Sequence, residues 1–317
     1  MEKIKIGQTD LAVAPFNLGG NVFGWTLDEK QSFDILDAFT AADFNFIDTA
    51  DMYSHWVDGG EGGQSETIIG KWLKARGNRE KVVIATKVGG PTGVHGIDTS
   101  RKHILETVEK SLKRLQTDYI DLYYTHYDDE KTPVAETLAA YETLITAGKV
   151  RYVAASNLSP ERLKESLVAA EQNNLPKYQA LQPLYNLVER KNYETHYAPL
   201  VDQYGLTVFP YYALAAGFLT GKYRSKADLG KSVRGQGATK YLHEQGLHLL
   251  QVIDQIADNH HAVPATVALA WLSAQPHVGG PLASATSRGQ LEQLLAATRL
   301  TLGTGDLELL DTASRWT

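Results

Sequence analysis

The length, composition and charge of this chain exclude several classes of protein. Its 317 residues, 43% of them hydrophobic, can bury a large core, and a formal net charge of -6 argues against a dedicated binder of nucleic acid or anionic membrane. The absence of cysteine excludes disulfides, thiolate nucleophiles, iron–sulfur clusters and cysteine-ligated zinc.

The start of the chain and its apolar segments indicate where the protein works. The opening "MEKIKIGQTD" has charges but neither an apolar core segment nor a small-residue cleavage site, so we expect no signal peptide. The apolar stretch from Ala265 to Ala274 is too short to span a bilayer. We therefore expect a cytoplasmic protein with a small-molecule substrate and with neither nucleic acid nor membrane as a partner. The oligomeric state is left open.

A predicted hairpin is followed by eight short apolar runs. The segment "KIKIGQTDLAVAP" predicts a small N-terminal β-hairpin that closes the floor of the fold. The eight runs are "VAPFNLG", "NFIDT", "KVVIATKVG", "YIDLYYTH", "VRYVAAS", "YQALQPL", "LTVFPYY" and, more weakly, "VGGPLASAT". Continuous apolar runs of this length are typical of parallel strands that are buried on both faces.

Segments with helical periodicity separate these runs. One segment, behind an N-cap at Thr99 or Ser100, has an apolar face formed by Ile104, Val108, Leu112 and Leu115. The next has a proline near its start and Gly148 at its end, which is the usual asymmetry of helix boundaries. Eight strand–helix units in series predict an α/β fold, a single (β/α)8 TIM barrel over residues 1–317. The segment from Ala215 to Gly246 predicts a long functional loop after the seventh strand.

Four ionisable residues fall at the ends of consecutive predicted strands. Asp48 ends the second strand, Lys87 the third and His126 the fourth, and Tyr53 lies in the loop after the second. The carboxyl ends of the strands carry the active site of a TIM barrel. Taken singly, the lysine could extend to water, the aspartate could cap a helix, and the other two could be structural. Their joint placement in one sector of the rim favours a catalytic group.

These four residue types together suit the delivery of a proton to a carbonyl oxygen. A phenol has a pKa near 10, and a cation about 4 Å away would stabilise the phenolate by up to roughly 4 kcal/mol at an effective dielectric of ~20. We expect Lys87 to lower the pKa of Tyr53 in this way, with Asp48 holding the lysine. His126 would donate a hydrogen bond to the same oxygen. Tyr53 would then act as the acid in carbonyl reduction and as the base in alcohol oxidation.

Several motifs, in order along nearly the whole chain, resemble the aldo-keto reductases. They are "NFIDTADMYS", "IATKVG", "DLYYTH", "AGKVRYVAASNLS", "YQALQPLYN", "FPYYALAAGFLTGKY" and "PLASATSRGQLEQLLAA". The fold of this family is a (β/α)8 barrel that binds NADPH without a Rossmann domain, and the branch resembled includes aryl-alcohol dehydrogenases and potassium-channel β subunits. The resemblance implies an NAD(P)H-dependent oxidoreductase that reduces aldehydes or ketones to alcohols.

The resemblance also assigns roles to single residues. Asp48, Tyr53, Lys87 and His126 match the catalytic tetrad, and no metal is implied. The positions that match contacts with NADP(H) are Gly20, Asn21, Ser156, Asn157, Gln182, Tyr211, Leu214, Gly217, Leu219, Gly221, Lys222, Ser284, Thr286, Ser287, Arg288, Gln290 and Gln293.

Within that set, three groups have distinct expected partners on the cofactor. The Ser156–Asn157 pair and Gln182 would hydrogen-bond the nicotinamide carboxamide, and Tyr211 would stack on its ring. The loop from residue 214 to 222 would cover the pyrophosphate. The segment 284–288, followed by a helix N-terminus, would receive the adenosine 2′-phosphate, with the two glutamines near the phosphate and adenine.

Some residues depart from the family pattern. Tyr212 replaces a usual serine, Ala283–Ser284 replaces a common Pro-Gly pair, and Leu294 replaces an asparagine near the adenine. A basic residue is also common at position 286 or 287. These changes leave the preference between NADPH and NADH open, and either Arg288 or Arg234 could supply the missing positive charge.

The substrate side is predicted to be aromatic. Trp25, Tyr53, Trp56 and Tyr127 fall at the predicted mouth, which predicts a pocket for aromatic or apolar carbonyl compounds. Glycine spacing excludes a Rossmann fingerprint. Two other functions stay open, a catalytically weak nucleotide-sensing barrel and a metal-dependent barrel hydrolase with Asp48 and His126 as ligands, although no H-x-H occurs.

Overall fold

The computed structural model describes residues 2–57, 59–92 and 96–315, and an eight-stranded parallel sheet lies at its centre. The strands of the chain are β1 (Ile4–Lys5), β2 (Ala12–Val13), β3 (Asn17–Gly19), β4 (Phe46–Asp48), β5 (Val83–Val88), β6 (Ile120–Thr125), β7 (Val150–Ser156), β8 (Ala180–Gln182), β9 (Thr207–Val208) and β10 (Leu282–Ala283). In the sheet they follow the order β10-β3-β4-β5-β6-β7-β8-β9.

The two edges of this sheet are joined by backbone hydrogen bonds. Val208 N donates to His277 O at 2.9 Å, Gly279 N donates to Val208 O at 2.9 Å, and Leu282 N donates to Pro210 O at 3.0 Å. These bonds close the strands into a barrel. The predicted (β/α)8 fold is confirmed.

Helices connect the strands and cover the outside of the barrel. They are α1 (Glu29–Ala41), α2 (Gln64–Arg76), α3 (Arg101–Leu115), α4 (Val134–Thr146), α5 (Pro160–Asn173), α6 (Ala198–Tyr204), α7 (Glu244–Asn259), α8 (Pro264–Ser273), α9 (Arg288–Ala296) and α10 (Thr304–Ala313). Of the two candidate caps of α3, Ser100 is the N-cap, since its side chain accepts from His103 N. None of the described helices is long and apolar enough to cross a membrane.

The N-terminal hairpin closes the bottom of the barrel, as predicted. Strands β1 and β2 pair antiparallel, and Gly7 N donates to Thr207 Oγ1 at 2.7 Å. Ile6, Leu11 and Val13 pack against inward-facing residues of the barrel strands. The hairpin therefore covers the bottom of the barrel with apolar side chains.

The connection after β9 is ordered by three short 3-10 helices, at Ala215–Thr220, Lys226–Lys231 and Gly235–Tyr241. Phe218, Leu219 and Tyr223 from this connection are fully buried in the core between barrel and helices. The segment is therefore anchored to the barrel through these buried side chains.

Candidate active site

Lys87 is the centre of a buried group at the carboxyl ends of β4 and β5. Its Nζ donates to Asp48 Oδ1 at 2.5 Å, to Thr49 O at 2.8 Å and to the Tyr53 hydroxyl oxygen at 2.9 Å. These three acceptors use the three donors of an ammonium group. Asp48 and Lys87 are 0% exposed, so the pair is fully shielded from water.

Asp48 is held from a second side by Gln182. Gln182 Nε2 donates to Asp48 Oδ2 at 2.9 Å, across 134 residues of sequence. Both carboxylate oxygens therefore have a close donor, one from β5 and one from β8. The resemblance assigns this amide to the nicotinamide carboxamide, and in the structure its nitrogen also donates to a residue of the tetrad.

Tyr53 carries the hydroxyl that could donate a proton. Its contact with Asp48 Oδ1 is 3.3 Å, longer than a usual O–H···O bond, whereas the ammonium of Lys87 is much closer. Burial raises the pKa of Tyr53 well above its ordinary value, and the Asp48 carboxylate raises it further. The net direction of the pKa shift is therefore opposite to the lowering expected from Lys87, and burial is its largest cause.

His126 completes the group with a ring that stays neutral. It is 6% exposed, and the centroids of the His126 and Tyr53 rings are 6.1 Å apart. Burial lowers the pKa of His126 well below its ordinary value, and the nearby Lys87 charge adds to this. Its Nδ1 atom is buried without a hydrogen-bond partner among the described residues. A buried, unpaired ring nitrogen has a hydrogen bond left to make.

Ser156, Asn157 and Tyr211 form a continuous hydrogen-bonded chain beside the group. Asn157 Nδ2 donates to Ser156 Oγ and to His126 O at 3.0 Å each, and Tyr211 OH donates to Asn157 Oδ1 at 2.9 Å. The second lone pair of Asn157 Oδ1 remains able to accept, which fits the NH2 group of a carboxamide. Asn157 has a φ of +51°, an uncommon value for a residue other than glycine.

The predicted pyrophosphate loop has a strained backbone. Left-handed φ angles occur at Tyr212, Ala215, Ala216 and Gly217, and a Cβ on Gly217 would lie 2.9 Å from Lys222 Cε. Such clusters of strain occur at ligand sites. The Lys222 side chain lies against Gly217 of this loop. Leu214 and Gly221 flank the short helix that the loop forms. Leu219, in contrast, is 0% exposed, so its side chain belongs to the core and only its backbone could meet a cofactor.

The predicted 2′-phosphate segment lies between β10 and α9. Ser287 is the N-cap of α9 and accepts from Gln290 N, while the N and Oγ1 atoms of Thr286 both donate to Gln290 Oε1 at 2.9 Å. Arg288 is exposed and lies 3.8 Å from Asp34 Oδ1. The segment is therefore a polar helix N-terminus that carries one cation, Arg288, whose ion pair with Asp34 is long.

Residues around this segment have mixed roles. Ser284 Oγ donates to Asn21 Oδ1, which joins two predicted cofactor contacts. A Cβ on Gly20 would lie 2.9 Å from Asp48 O, so this glycine permits close packing behind the tetrad. Gln293 is exposed, whereas Leu294 is 4% exposed in the core and is a packing residue.

The four predicted aromatic residues lie in one continuous wall. The ring centroids of Trp25 and Trp56 are 5.5 Å apart, and those of Trp56 and Tyr53 are 6.2 Å apart. Tyr127 stacks against His126 at 4.7 Å. The guanidinium carbon of Arg234 lies 5.3 Å from the ring centroid of Trp25. Arg234, one of two candidates for the 2′-phosphate charge, is therefore attached to the aromatic wall.

A second buried acidic cluster, without a predicted role, lies behind the tetrad. Glu66 is 0% exposed, accepts from Thr86 Oγ1 at 2.5 Å and pairs with Arg114 at 2.6 Å. Asp51 is 5% exposed, and burial raises its pKa to about 8, with a further contribution from Glu66. The motif "DTADMY" includes Asp51. It does not predict that Glu66 of α2 and Arg114 of α3 act on this carboxyl group.

A metal centre has no support in the described part of the chain. No group of three or more His, Asp or Glu side chains there is placed to hold a metal ion. Both carboxylate oxygens of Asp48 are engaged by Lys87 and Gln182. The hydrolase alternative therefore lacks a ligand set among these residues.

Comparison with known proteins gives matches over nearly the whole chain. The model of the aldo/keto reductase family matches residues 15–315. A probable voltage-gated potassium channel subunit beta of Arabidopsis thaliana is 32% identical over 306 residues, 94% of this chain and 91% of the relative. Protein tas of Escherichia coli is 32% identical over 327 residues, 95% and 94% of the two chains. An uncharacterized oxidoreductase of Bacillus subtilis, YrpG, is 34% identical over 321 residues, 98% and 95%.

Proposed function

Because the chain belongs to the aldo/keto reductase family, whose members are oxidoreductases that use nicotinamide cofactors, we propose that it reduces aldehydes or ketones to alcohols with NADP(H). The substrates would be small aromatic or apolar carbonyl compounds of the cytoplasm. The observation that carries this proposal is the position of Lys87 Nζ, within 2.9 Å of both the Tyr53 hydroxyl and the Asp48 carboxylate at the barrel rim.

The residues present fit a nicotinamide dinucleotide. Asn157 has an acceptor left for the carboxamide, Tyr211 stands beside it, and Lys222 lies against the strained loop that would face the pyrophosphate. The cofactor, when bound, supplies the hydride. The exposed segment 284–288, with Arg288 as its cation, would hold the adenosine end.

Tyr53 would deliver the proton to the carbonyl oxygen. The Lys87 ammonium donates to the phenol oxygen, so the phenolic hydrogen is free to point elsewhere, and its 3.3 Å contact with Asp48 is weak enough to exchange for a substrate oxygen. As the proton leaves, negative charge develops 2.9 Å from the ammonium, which stabilises the phenolate more than the phenol. Tyr53 is protonated at neutral pH, which is the form that a proton donor in carbonyl reduction requires.

His126 would orient the same oxygen. Its pKa lies well below the ordinary value because of burial and the Lys87 charge, so the ring is neutral at neutral pH. A neutral imidazole donates one hydrogen bond and accepts another, so the ring nitrogen other than the buried Nδ1 could donate to a substrate oxygen. Two donors, the Tyr53 hydroxyl and the His126 ring, would thus converge on the carbonyl oxygen.

The proposal is tested with Tyr53→Phe, with Tyr123→Phe as the matched control. Tyr123 is fully buried whereas Tyr53 is half-buried, and the Tyr123 hydroxyl has no hydrogen-bond partner within the described residues. We expect Tyr53→Phe to lose at least about 10³-fold in kcat for a panel of aromatic and aliphatic aldehydes, while the Kd for NADPH stays within about twofold. Tyr123→Phe should retain wild-type turnover. Equal activity of the two variants would refute the role of Tyr53.

Parallel titrations with NADPH and NADH test the choice of cofactor. The segment 284–288 offers Arg288 and the N-terminus of α9 to a 2′-phosphate, so we expect NADPH to bind more tightly, by about tenfold. Arg288→Gln should remove most of this difference without weakening NADH binding. Equal affinities in the wild type would show that the 2′-phosphate is not recognised.

A nucleotide-sensing role is the second candidate, because one relative is named as a potassium channel subunit. It predicts tight cofactor binding without turnover of any aldehyde in the same panel.

A further inference from the structure

Arg234 differs in its partners from four other arginines whose side chains are largely buried. Arg79, Arg114, Arg162 and Arg190 have side chains 15–26% exposed, and each pairs with a carboxylate at 2.6 or 2.7 Å. Arg234 is partly buried, yet in the described part of the chain it forms no ion pair, and its Nη2 is fully buried without a hydrogen-bond partner. A buried guanidinium nitrogen without an acceptor is unfavourable and rare.

The loop that carries Arg234 is tightly built. Gly235 N donates to Ser232 O at 2.9 Å, and Gly237 N donates to Arg234 O at 3.0 Å. A Cβ on Gly235 would lie 1.9 Å from Leu229 O, so the turn requires glycine there. Tyr223 OH and Ser232 Oγ are hydrogen-bonded at 2.6 Å, which anchors the turn to the rest of the connection. The backbone position of Arg234 is therefore defined by the turn.

A series of ring contacts links Arg234 to Tyr53 of the tetrad. Its guanidinium lies over Trp25, Trp25 contacts Trp56, and Trp56 contacts Tyr53. The ionisable groups that act on the pKa of Arg234 are the phenols of Tyr212, Tyr53 and Tyr223, with no carboxylate among them. Burial lowers this pKa, but an arginine remains charged at neutral pH.

We propose that Arg234 receives an acid group of the substrate, so that the preferred substrates are carbonyl compounds that also carry a carboxylate. The inference rests on the proposed carbonyl reduction and extends it to a substrate class. A guanidinium held over an indole ring retains its N–H donors in the plane of the group, where a carboxylate can accept two of them. The aromatic wall of Trp25 and Trp56 would contact the apolar part of the molecule between its two polar ends.

The test compares two aldehydes of similar shape, 4-formylbenzoate with a charged carboxylate and 4-formylbenzamide with a neutral carboxamide. We expect wild-type kcat/KM to be about 10- to 100-fold higher for the acid, the range that one charge-assisted hydrogen-bonded pair provides, mainly through KM. Arg234→Gln should reduce this ratio to about one. Arg299→Gln, which alters an exposed arginine, is the control and should leave the ratio unchanged.

Two further measurements separate this inference from its alternatives. Quenching of tryptophan fluorescence reports binding of 4-formylbenzoate without turnover. If neither aldehyde is reduced but the acid binds at least tenfold more tightly to wild type than to Arg234→Gln, the inference holds and the proposed reduction fails. Equal kcat/KM for the two aldehydes in the wild type overturns the inference. So does an Arg234→Gln variant that loses both aldehydes equally while its Kd for NADPH rises, because Arg234 would then serve a phosphate of the cofactor.

Discussion

The buried pair of Lys87 and Asp48 allows the stability and the catalytic role of the candidate site to be measured separately. Both side chains are 0% exposed, and Lys87 also donates to Thr49 O at 2.8 Å. Lys87→Met keeps the length of the side chain but leaves the carboxylate of Asp48 without its ammonium partner, while the Gln182 donor and the longer 3.3 Å contact with the Tyr53 hydroxyl remain. Removing one partner of a buried pair costs about 3–5 kcal/mol, so we expect the free energy of unfolding to fall by that amount.

The double variant Lys87→Met/Asp48→Asn removes both charges. A buried pair replaced by neutral groups of similar volume is often as stable as the original, so the double variant should unfold within about 2 kcal/mol of the wild type. Turnover should be lost in both variants. Without the ammonium beside the Tyr53 hydroxyl, stabilisation of up to about 4 kcal/mol is lost from the transition state, which is roughly 10³-fold in rate.

Urea denaturation, followed by the fluorescence of the five tryptophans, measures the first effect, and NADPH oxidation with an aldehyde measures the second. Recovery of stability without recovery of turnover would separate the structural role of the pair from its catalytic role. The reasoning fails if the double variant is no more stable than Lys87→Met, since the two residues would then act independently. It also fails if Lys87→Met retains near-wild-type rates.

Three other predictions follow from burial. Since burial raises the pKa of Asp51 to about 8 against about 4 when unfolded, the folded protein holds a proton that the unfolded chain releases, and the free energy of unfolding should fall by about 4 kcal/mol from pH 5 to pH 8. Urea titrations should show this slope in the wild type and lose it in Asp51→Asn. Because the pKa of His126 is well below its ordinary value, kcat/KM should stay within about twofold from pH 8 to pH 6, and a loss centred near 6.5 would contradict a neutral ring. Gly70→Ala should destabilise the protein by at least about 1 kcal/mol in thermal unfolding, because its Cβ would lie 2.1 Å from Arg114 O, whereas Gly289→Ala, with nothing within 4 Å, should be neutral or stabilising by up to about 1 kcal/mol.

The strands could be predicted because each leaves a local pattern. Phe46 and Ile47 are neighbours in β4, yet Phe46 packs in the interior of the barrel and Ile47 in the layer between barrel and helices. A strand between two cores needs apolar residues on both faces, and a continuous run such as "NFIDT" results. The caps of α3 and α5 are similarly local, since each serine lies three residues before the amide that it accepts from.

The contacts that define the candidate site leave no such pattern. The bond from Gln182 to Asp48 spans 134 residues, and the pair of Glu66 and Arg114 spans 48. Matching motifs by position also cannot distinguish a side chain from its backbone, so the resemblance assigns Leu219 to the cofactor although its side chain lies in the core. The direction of the pKa shift of Tyr53 depends mainly on how far the whole fold removes its hydroxyl from water. A single neighbouring lysine does not determine this.

The energetics of the tetrad favour an enzyme over a nucleotide sensor. A buried ion pair contributes little net stability, because desolvation of the two charges offsets their attraction. Apolar residues in place of Lys87 and Asp48 could leave a nucleotide-binding barrel just as stable. The ammonium lies 2.9 Å from a phenol at the rim, and the carboxylate that stabilises it is bonded to Gln182 on a third strand. Proton transfer requires a cation beside the phenol, whereas cofactor binding alone does not require one there. A sensor should therefore tolerate the double variant with no loss of function, and an aldehyde reductase should lose turnover while it still binds NADPH.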